Sequence, residues 1–412
     1  MKATVLDIAD PATFRAGHPF DLYEYWRTNE PVHRIEGDGN MPPYWLLTRH
    51  ADVSAVSRDP ARFSSTGGFR LPTHTEAQAQ SEQVRVAAMR SNPLMTTDPP
   101  GQTDLRRQLA MPFSIGGLRQ IEDRIDRFVD EMVDGLKGRD RIELVSELTS
   151  IVPIRTLCML LGILTEDEPR VFELTNRTVG ANDPEYSSSA ADRVQAYVDM
   201  FAYGSTLISE RRGSPTDDVL GIVSRMSFQG QPLGDDASHG MFTLLLAAGN
   251  ETTRNSLTGG ILALARDVEQ RDMLAARPDL LQNAAHEIIR YVTPVIQMMR
   301  TATEDVELGG KTIRRGDRVV MLYGAANRDP EVFENPHEFD VTRANASRQL
   351  AFGVGPHYCL GAPLAVMQVV SVLRKLLVAF PDLKVVGEPD HLLSNFVCSI
   401  KRLNVTLTPS RP

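Results

Sequence analysis

The chain has 412 residues, 42% of them apolar and 24% charged, so it can bury a sizeable core and does not have the composition of a disordered polymer. A formal net charge of −9 argues against a general nucleic-acid or anionic-membrane binder. Three widely spaced cysteines, Cys158, Cys359 and Cys398, form neither a disulfide framework nor a Cys-x-x-Cys metal pair, so any cysteine chemistry is that of a single thiolate.

The first ten residues contain no apolar run of signal-peptide length, and no stretch reaches the ~18 uncharged apolar residues that span a bilayer. A cytoplasmic protein without a membrane anchor is expected. The first seventy residues read as mixed structure, with a hairpin over 31–48 turning at Gly37-Asp38-Gly39-Asn40. The segment 67–92 is long and weakly patterned, and loops of that length are often functional. Residues 118–136 carry Leu118, Ile121, Ile125, Phe128, Val129, Met132 and Val133 at helical spacing. Further helices are expected over 153–164, 192–209, 235–266 and 280–291. Short β-branched runs over 298–322 turn at Gly309-Gly310 and Arg315-Gly316. A helix over 362–380 precedes a β-rich tail over 383–407. The pattern predicts a mainly α protein with small β-sheets (α+β), and 1–412 reads as one domain because no repeat or linker divides it.

The most informative segment is Phe352-Gly353-Val354-Gly355-Pro356-His357-Tyr358-Cys359-Leu360-Gly361. Its glycines let backbone bend close to a bulky group. Its cysteine lies just before a long apolar helix, where backbone N–H groups favour the thiolate. A second segment, Ala248-Gly249-Asn250-Glu251-Thr252-Thr253, sits inside the long helix expected over 235–266. Helical propensity does not account for Gly followed by two threonines. Small residues at 248 and 249 leave room for a bound group, and a Thr hydroxyl can bond back to the preceding turn and open the ladder. A carboxylate beside an alcohol can relay protons. Alone, such a run is also a common solvated turn.

The cysteine segment resembles the haem-binding loop of the cytochrome P450 monooxygenases, Phe-x-x-Gly-x-x-x-Cys-x-Gly, through Phe352, Gly355, Cys359 and Gly361. The 248–253 run and His286-Glu287-Ile288-Ile289-Arg290 follow the same family's order, so the resemblance spans the chain. It implies a triangular helical body enclosing haem b, with Cys359 on the iron and O2 as co-substrate. It implies that Glu251 and Thr252 deliver protons. It further implies that Arg106, Arg300 and His357 meet the haem propionates, with Gln102 standing where a histidine is common. Glu287 and Arg290 would form a buried pair with Arg343 as third member; Glu-x-x-Arg alone is usually a surface pair. Gln349, Val366 and Gln368 also depart from common family residues.

The chemistry implied is hydroxylation or another oxidation of a lipophilic small molecule, such as a steroid, terpenoid or other natural-product intermediate. Candidate pocket walls are Leu94, Met95, Leu244, Ala247, Ala248, Val295, Ile296, Met298, Phe396 and Val397, each equally at home in ordinary core packing. Electrons would come from a ferredoxin and its reductase, docking at a local basic patch of Arg106, Arg107, Arg348 and Arg374. A substrate tethered to an acyl or peptidyl carrier protein, oxidative coupling or cyclisation, and a haem protein that binds ligand without turnover remain alternatives. The zinc-protease motif fails because position 290 is Arg. A phosphate loop at Gly310-Lys311-Thr312 lacks its first glycine, and a dinucleotide fingerprint at Gly353 lacks its third.

Overall fold

The structure is a computed structural model that describes residues 7–37, 41–79, 92–179, 183–186 and 189–407. The turn at 38–40 and the stretch 80–91 of the weakly patterned segment lie outside the described residues.

Twelve helices of seven residues or more are found among the described residues. They are α1 Phe20–Asn29, α2 His50–Arg58, α3 Gly101–Leu109, α4 Ile115–Asp134, α5 Ile151–Leu161, α6 Glu168–Val179, α7 Ala190–Gly213, α8 Val219–Arg225, α9 Asp235–Arg266, α10 Val268–Ala276, α11 Leu281–Val292 and α12 Ala362–Ala379. The first two interrupt the stretch read as mixed structure. Local chemistry explains several boundaries. Ser114 caps α4 by accepting from the Gly117 N–H, and α5 ends where Gly162 turns left-handed. The apolar stripe read over 118–136 buries Leu118, Ile125, Phe128, Val129 and Val133 on the inner face of α4.

At 32 residues α9 runs about 48 Å and forms the axis of the helical body. It packs against α5, α7, α11 and α12. Helix α12 is apolar and long enough to cross a membrane by composition, but it lies largely inside the body against α4, α9 and α11. Most of its apolar surface is covered by protein, although Val378 is exposed.

Small sheets flank the helices. Strands β1 Val32–Ile35 and β2 Tyr44–Leu47 pair antiparallel, as the 31–48 hairpin predicts. They join β3 Phe63–Ser64, β7 Gln297–Ala302 and β10 Arg318–Leu322 in a five-stranded sheet of order β1-β2-β10-β7-β3. Between β7 and β10, β8 Val306–Leu308 and β9 Lys311–Ile313 form a hairpin turning at Gly309-Gly310. The tail supplies β11 Lys384–His391 and β12 Ile400–Thr406, and β12 also pairs with β4 Arg141–Glu143. A two-residue hairpin, β5 Ser227–Phe228 with β6 Gln231–Pro232, precedes α9.

Candidate active site

The cysteine loop is shaped by its own backbone. The Cys359 N–H donates to the Phe352 carbonyl at 2.8 Å, folding residues 352–359 back on themselves. Gly355 has φ +80°, and a Cβ there would come within 2.6 Å of the Ser57 carbonyl oxygen, so glycine is required twice over. Ser57 in turn donates to the Val354 carbonyl, tying α2 to the loop.

The sequence led us to expect an ionised sulfur. In the protein alone, burial pushes the Cys359 thiol up, against the lowering effect of the Gly361 and Ala362 N–H groups and the Arg106 charge. Were the sulfur bound to a metal ion, that ion's charge would favour the thiolate.

The cationic residues assemble around this loop. Arg106 on α3 lies close enough to Cys359 and Tyr358 for their charges to be felt. Arg300 on β7 is buried and donates to the neighbouring Met299 carbonyl at 2.7 Å. Among the described residues neither arginine makes an ion pair, and burial lowers both below the usual guanidinium range. His357 is pushed down to about 3 by burial and by the Arg300 and Arg106 charges. It therefore acts as a neutral hydrogen-bonding group, with Nε2 3.0 Å from the Ser65 hydroxyl. Ser65 and Asp98, which accepts from the Ser65 N–H at 2.8 Å, escaped the sequence reading because nothing in their local pattern marks them.

Gln102 meets the cysteine loop directly. Its Nε2 donates to the Pro356 carbonyl at 2.8 Å, while Oε1 is buried without a partner among the described residues. That bond braces α3 against the loop and leaves the second amide N–H available to an acceptor. Gln349 plays a similar local part, accepting from the Ala351 N–H at 2.6 Å. Val366 and Gln368 are buried in α12, and both amide atoms of Gln368 lack partners.

On α9, Ala248 is exposed although Leu245, Leu246, Asn250 and Glu251 around it are buried. That opens one small face in the middle of a packed helix. Gly249 does not contribute to it: a Cβ there would meet Leu157 Cδ2 at 2.8 Å, so this glycine lets α5 approach. Thr252 Oγ1 donates back to the Ala248 carbonyl at 2.8 Å, as expected, yet α9 stays helical throughout 235–266. Glu251 is buried and turned into a separate network. Its Oε1 takes an ion pair from Arg254, 3.1 Å from Asn255 Nδ2 and 2.5 Å from Ser399 Oγ. Glu251 and Thr252 share no recorded hydrogen bond.

The pocket candidates divide. Leu244 packs beside the large helical core together with Phe352, while Leu94 is buried in that core and Met95 is half-buried next to it. Ala247, Val295, Met298 and Phe396 are half-buried. Val397 is buried and bridges to Val295 through backbone. Ile296 is a correction: it is fully buried in the N-terminal core with Tyr23, Trp26 and Leu322, whereas Val295 packs against a different cluster with Val319 and Met321.

Glu287 and Arg290 are fully buried, and Arg343 joins them with Nε 3.1 Å from Glu287 Oε1. Arg290 also donates to the carbonyls of Asn327, Pro336 and Glu338, locking the segment that leads to the cysteine loop.

A thiol framed by two backbone N–H groups, two unpaired guanidiniums and a neutral histidine is the donor set that a haem with two anionic propionates fits. The family profile described as Cytochrome P450 matches residues 270–406. Linalool 8-monooxygenase of Pseudomonas putida is 33% identical over 98% of this chain and 99% of its own length. The chain belongs to the cytochrome P450 family. Steroid C26-monooxygenase of Mycolicibacterium smegmatis is also 33% identical, over 93% of this chain and 89% of its own. A Mycobacterium marinum cytochrome P450 solved in complex with pseudoionone superposes with a TM-score of 0.89 at 31% identity, covering 98% of each chain. Cytochrome P450 monooxygenases use haem b and O2, and relatives of this chain act on lipophilic substrates.

Proposed function

We propose that this cytochrome P450 oxidises a C–H bond near the end of a methyl-branched, isoprenoid-like chain, on a terpenoid or a sterol side chain, with residues 1–412 acting as one catalytic domain. The observation that carries the haem-thiolate reading is the Cys359 loop, folded by the Cys359 N–H to Phe352 bond and flanked by Arg106 and Arg300. Linalool, a steroid C26 position and pseudoionone, named with three similar proteins, support the choice of substrate class.

In this reading Cys359 holds the iron, while Arg106, Arg300 and His357 hold the propionates. When bound, the haem supplies the reduction of O2 and the oxidation of the substrate. Phe352 and Gly361 shape the thiolate side of the site. Ala248 leaves space above it, Thr252 offers a hydroxyl beside that space, and Glu251 supplies the proton. Leu94, Met95, Leu244, Ala247, Val295, Met298, Phe396 and Val397 exclude water around the guest.

Electrons come from a ferredoxin and its reductase. In the basic patch Arg107 pairs with Asp104 and Arg374 with Asp126, while Arg348 is exposed and Arg106 half-buried. Arg348 is the cation to reverse first, with the salt dependence of electron transfer as readout.

The test is the reduced carbon-monoxide difference spectrum of the wild type beside Cys359→Ser, followed by product analysis with linalool and pseudoionone. A thiolate-type Soret band lost in the variant, with end-of-chain oxidation, is expected. A histidine-type band in the wild type overturns the ligand assignment. Oxidation only of a carrier-tethered acyl chain would replace the substrate class.

A further inference from the structure

The buried network around Glu251 is uneven in a way that bears on proton supply. All three donors converge on one oxygen, Oε1: the Arg254 guanidinium, the Asn255 amide and the Ser399 hydroxyl. The other oxygen, Oε2, is buried and has no hydrogen-bond partner among the described residues. Ser399 is oriented by its neighbours, because its Oγ accepts from Arg254 Nη2 at 3.4 Å and so turns its proton to Glu251. Asn255 is oriented too, since its Oδ1 accepts from the Ile400 N–H at 3.1 Å.

Two of these contacts reach the tail just after the turn that carries Phe396 and Val397. That turn is stiffened by Ser394 Oγ, which accepts from the Phe396 and Val397 N–H groups at 3.1 and 3.2 Å. Phe396 stacks edge-on against Phe69 with centroids 6.0 Å apart and lies under the Arg70 guanidinium. Val397 bridges to Val295. The hydroxyl that pins the acid lies two residues of chain beyond Val397.

We infer that Ser399, with Arg254 and Asn255, is a positioning residue that pins Glu251 through Oε1, leaves Oε2 as the oxygen that carries the proton, and makes the acid responsive to the Phe396–Val397 turn. This rests on the reading of Glu251 as the proton donor. A carboxyl group that loses one of its three donors changes the frequency and width of its stretching band. The charged and titratable groups facing this site are Arg254 on α9 and Tyr186 from the turn before α7, with Glu185 and Lys401 close to Tyr186.

The test is infrared difference spectroscopy on the haem-loaded protein, subtracting Glu251→Gln to isolate the carboxyl band. Ser399→Ala is expected to shift and broaden that band, since one of its three donors is lost, with Ser399→Thr restoring it. Phe396→Ala is expected to move the band in the wild-type background and not in the Ser399→Ala background. An unmoved band in Ser399→Ala overturns the pin. Equal Phe396→Ala shifts in both backgrounds overturn the link to the turn. The parent reading fails separately, if Glu251→Gln leaves the product formed per reduced nicotinamide unchanged.

Discussion

Glu287 and Arg290 meet through two hydrogen bonds of 2.7 Å each, with neither side chain reaching solvent. Removing one partner of such a pair strands the other, and here it strands two arginines, because Arg343 uses the same carboxylate. Glu287→Ala is expected to lower stability by about 3–5 kcal/mol, measured by urea unfolding, and to reduce haem incorporation with it. A loss under about 1 kcal/mol would mean the pair is no stronger than a surface one.

The closeness of α5 and α9 depends on Gly249. Gly249→Ala places a methyl group against Leu157 and is expected to cost about 1–3 kcal/mol. Adding Leu157→Ala should recover part of that loss, since the smaller side chain frees the space. A double-mutant cycle in denaturant measures the coupling.

His18 hydrogen-bonds through Nε2 to the Thr293 carbonyl at 2.9 Å, and burial pushes it down to about 4 from 6.5. A histidine kept neutral in the fold but protonated when unfolded supports stability above pH 6.5, and that support is lost as pH falls toward 4. The loss amounts to at most about 3 kcal/mol over this window. His18→Gln should flatten the acid limb of the stability profile; a limb of unchanged steepness would assign the effect to other groups.

Among the described residues Arg300 makes no ion pair, and the Asp98 charge reaches it only through space. Arg300→Leu is expected to leave the fold intact while speeding haem transfer to apomyoglobin by roughly ten-fold or more, the worth of a charge-assisted hydrogen bond.

Thr252 offers its hydroxyl beside the exposed Ala248 and is held there by the Ala248 carbonyl. Thr252→Ala is expected to cut product per reduced nicotinamide roughly ten-fold, with the electrons recovered as hydrogen peroxide. Thr252→Ser keeps the hydroxyl and should retain most of the coupling. Assaying peroxide and product side by side decides it.

The helical body was legible in the sequence because helical periodicity and local caps are short-range. Residues 235–266 read directly as α9, and Gly309-Gly310 as a turn. The Cys359 loop and the Glu287–Arg290 spacing were equally plain, since each lies within ten residues of chain. Tertiary structure alone decided what depends on distant partners. Burial made the Glu287 pair a core element. Packing against Leu157 gave Gly249 a purpose other than making room for haem. Packing against Tyr23, Trp26 and Leu322 put Ile296 in the N-terminal core. Ser399 reaches Glu251 across 148 positions of sequence, a contact no local pattern announces, because it exists only once the tail folds back over α9.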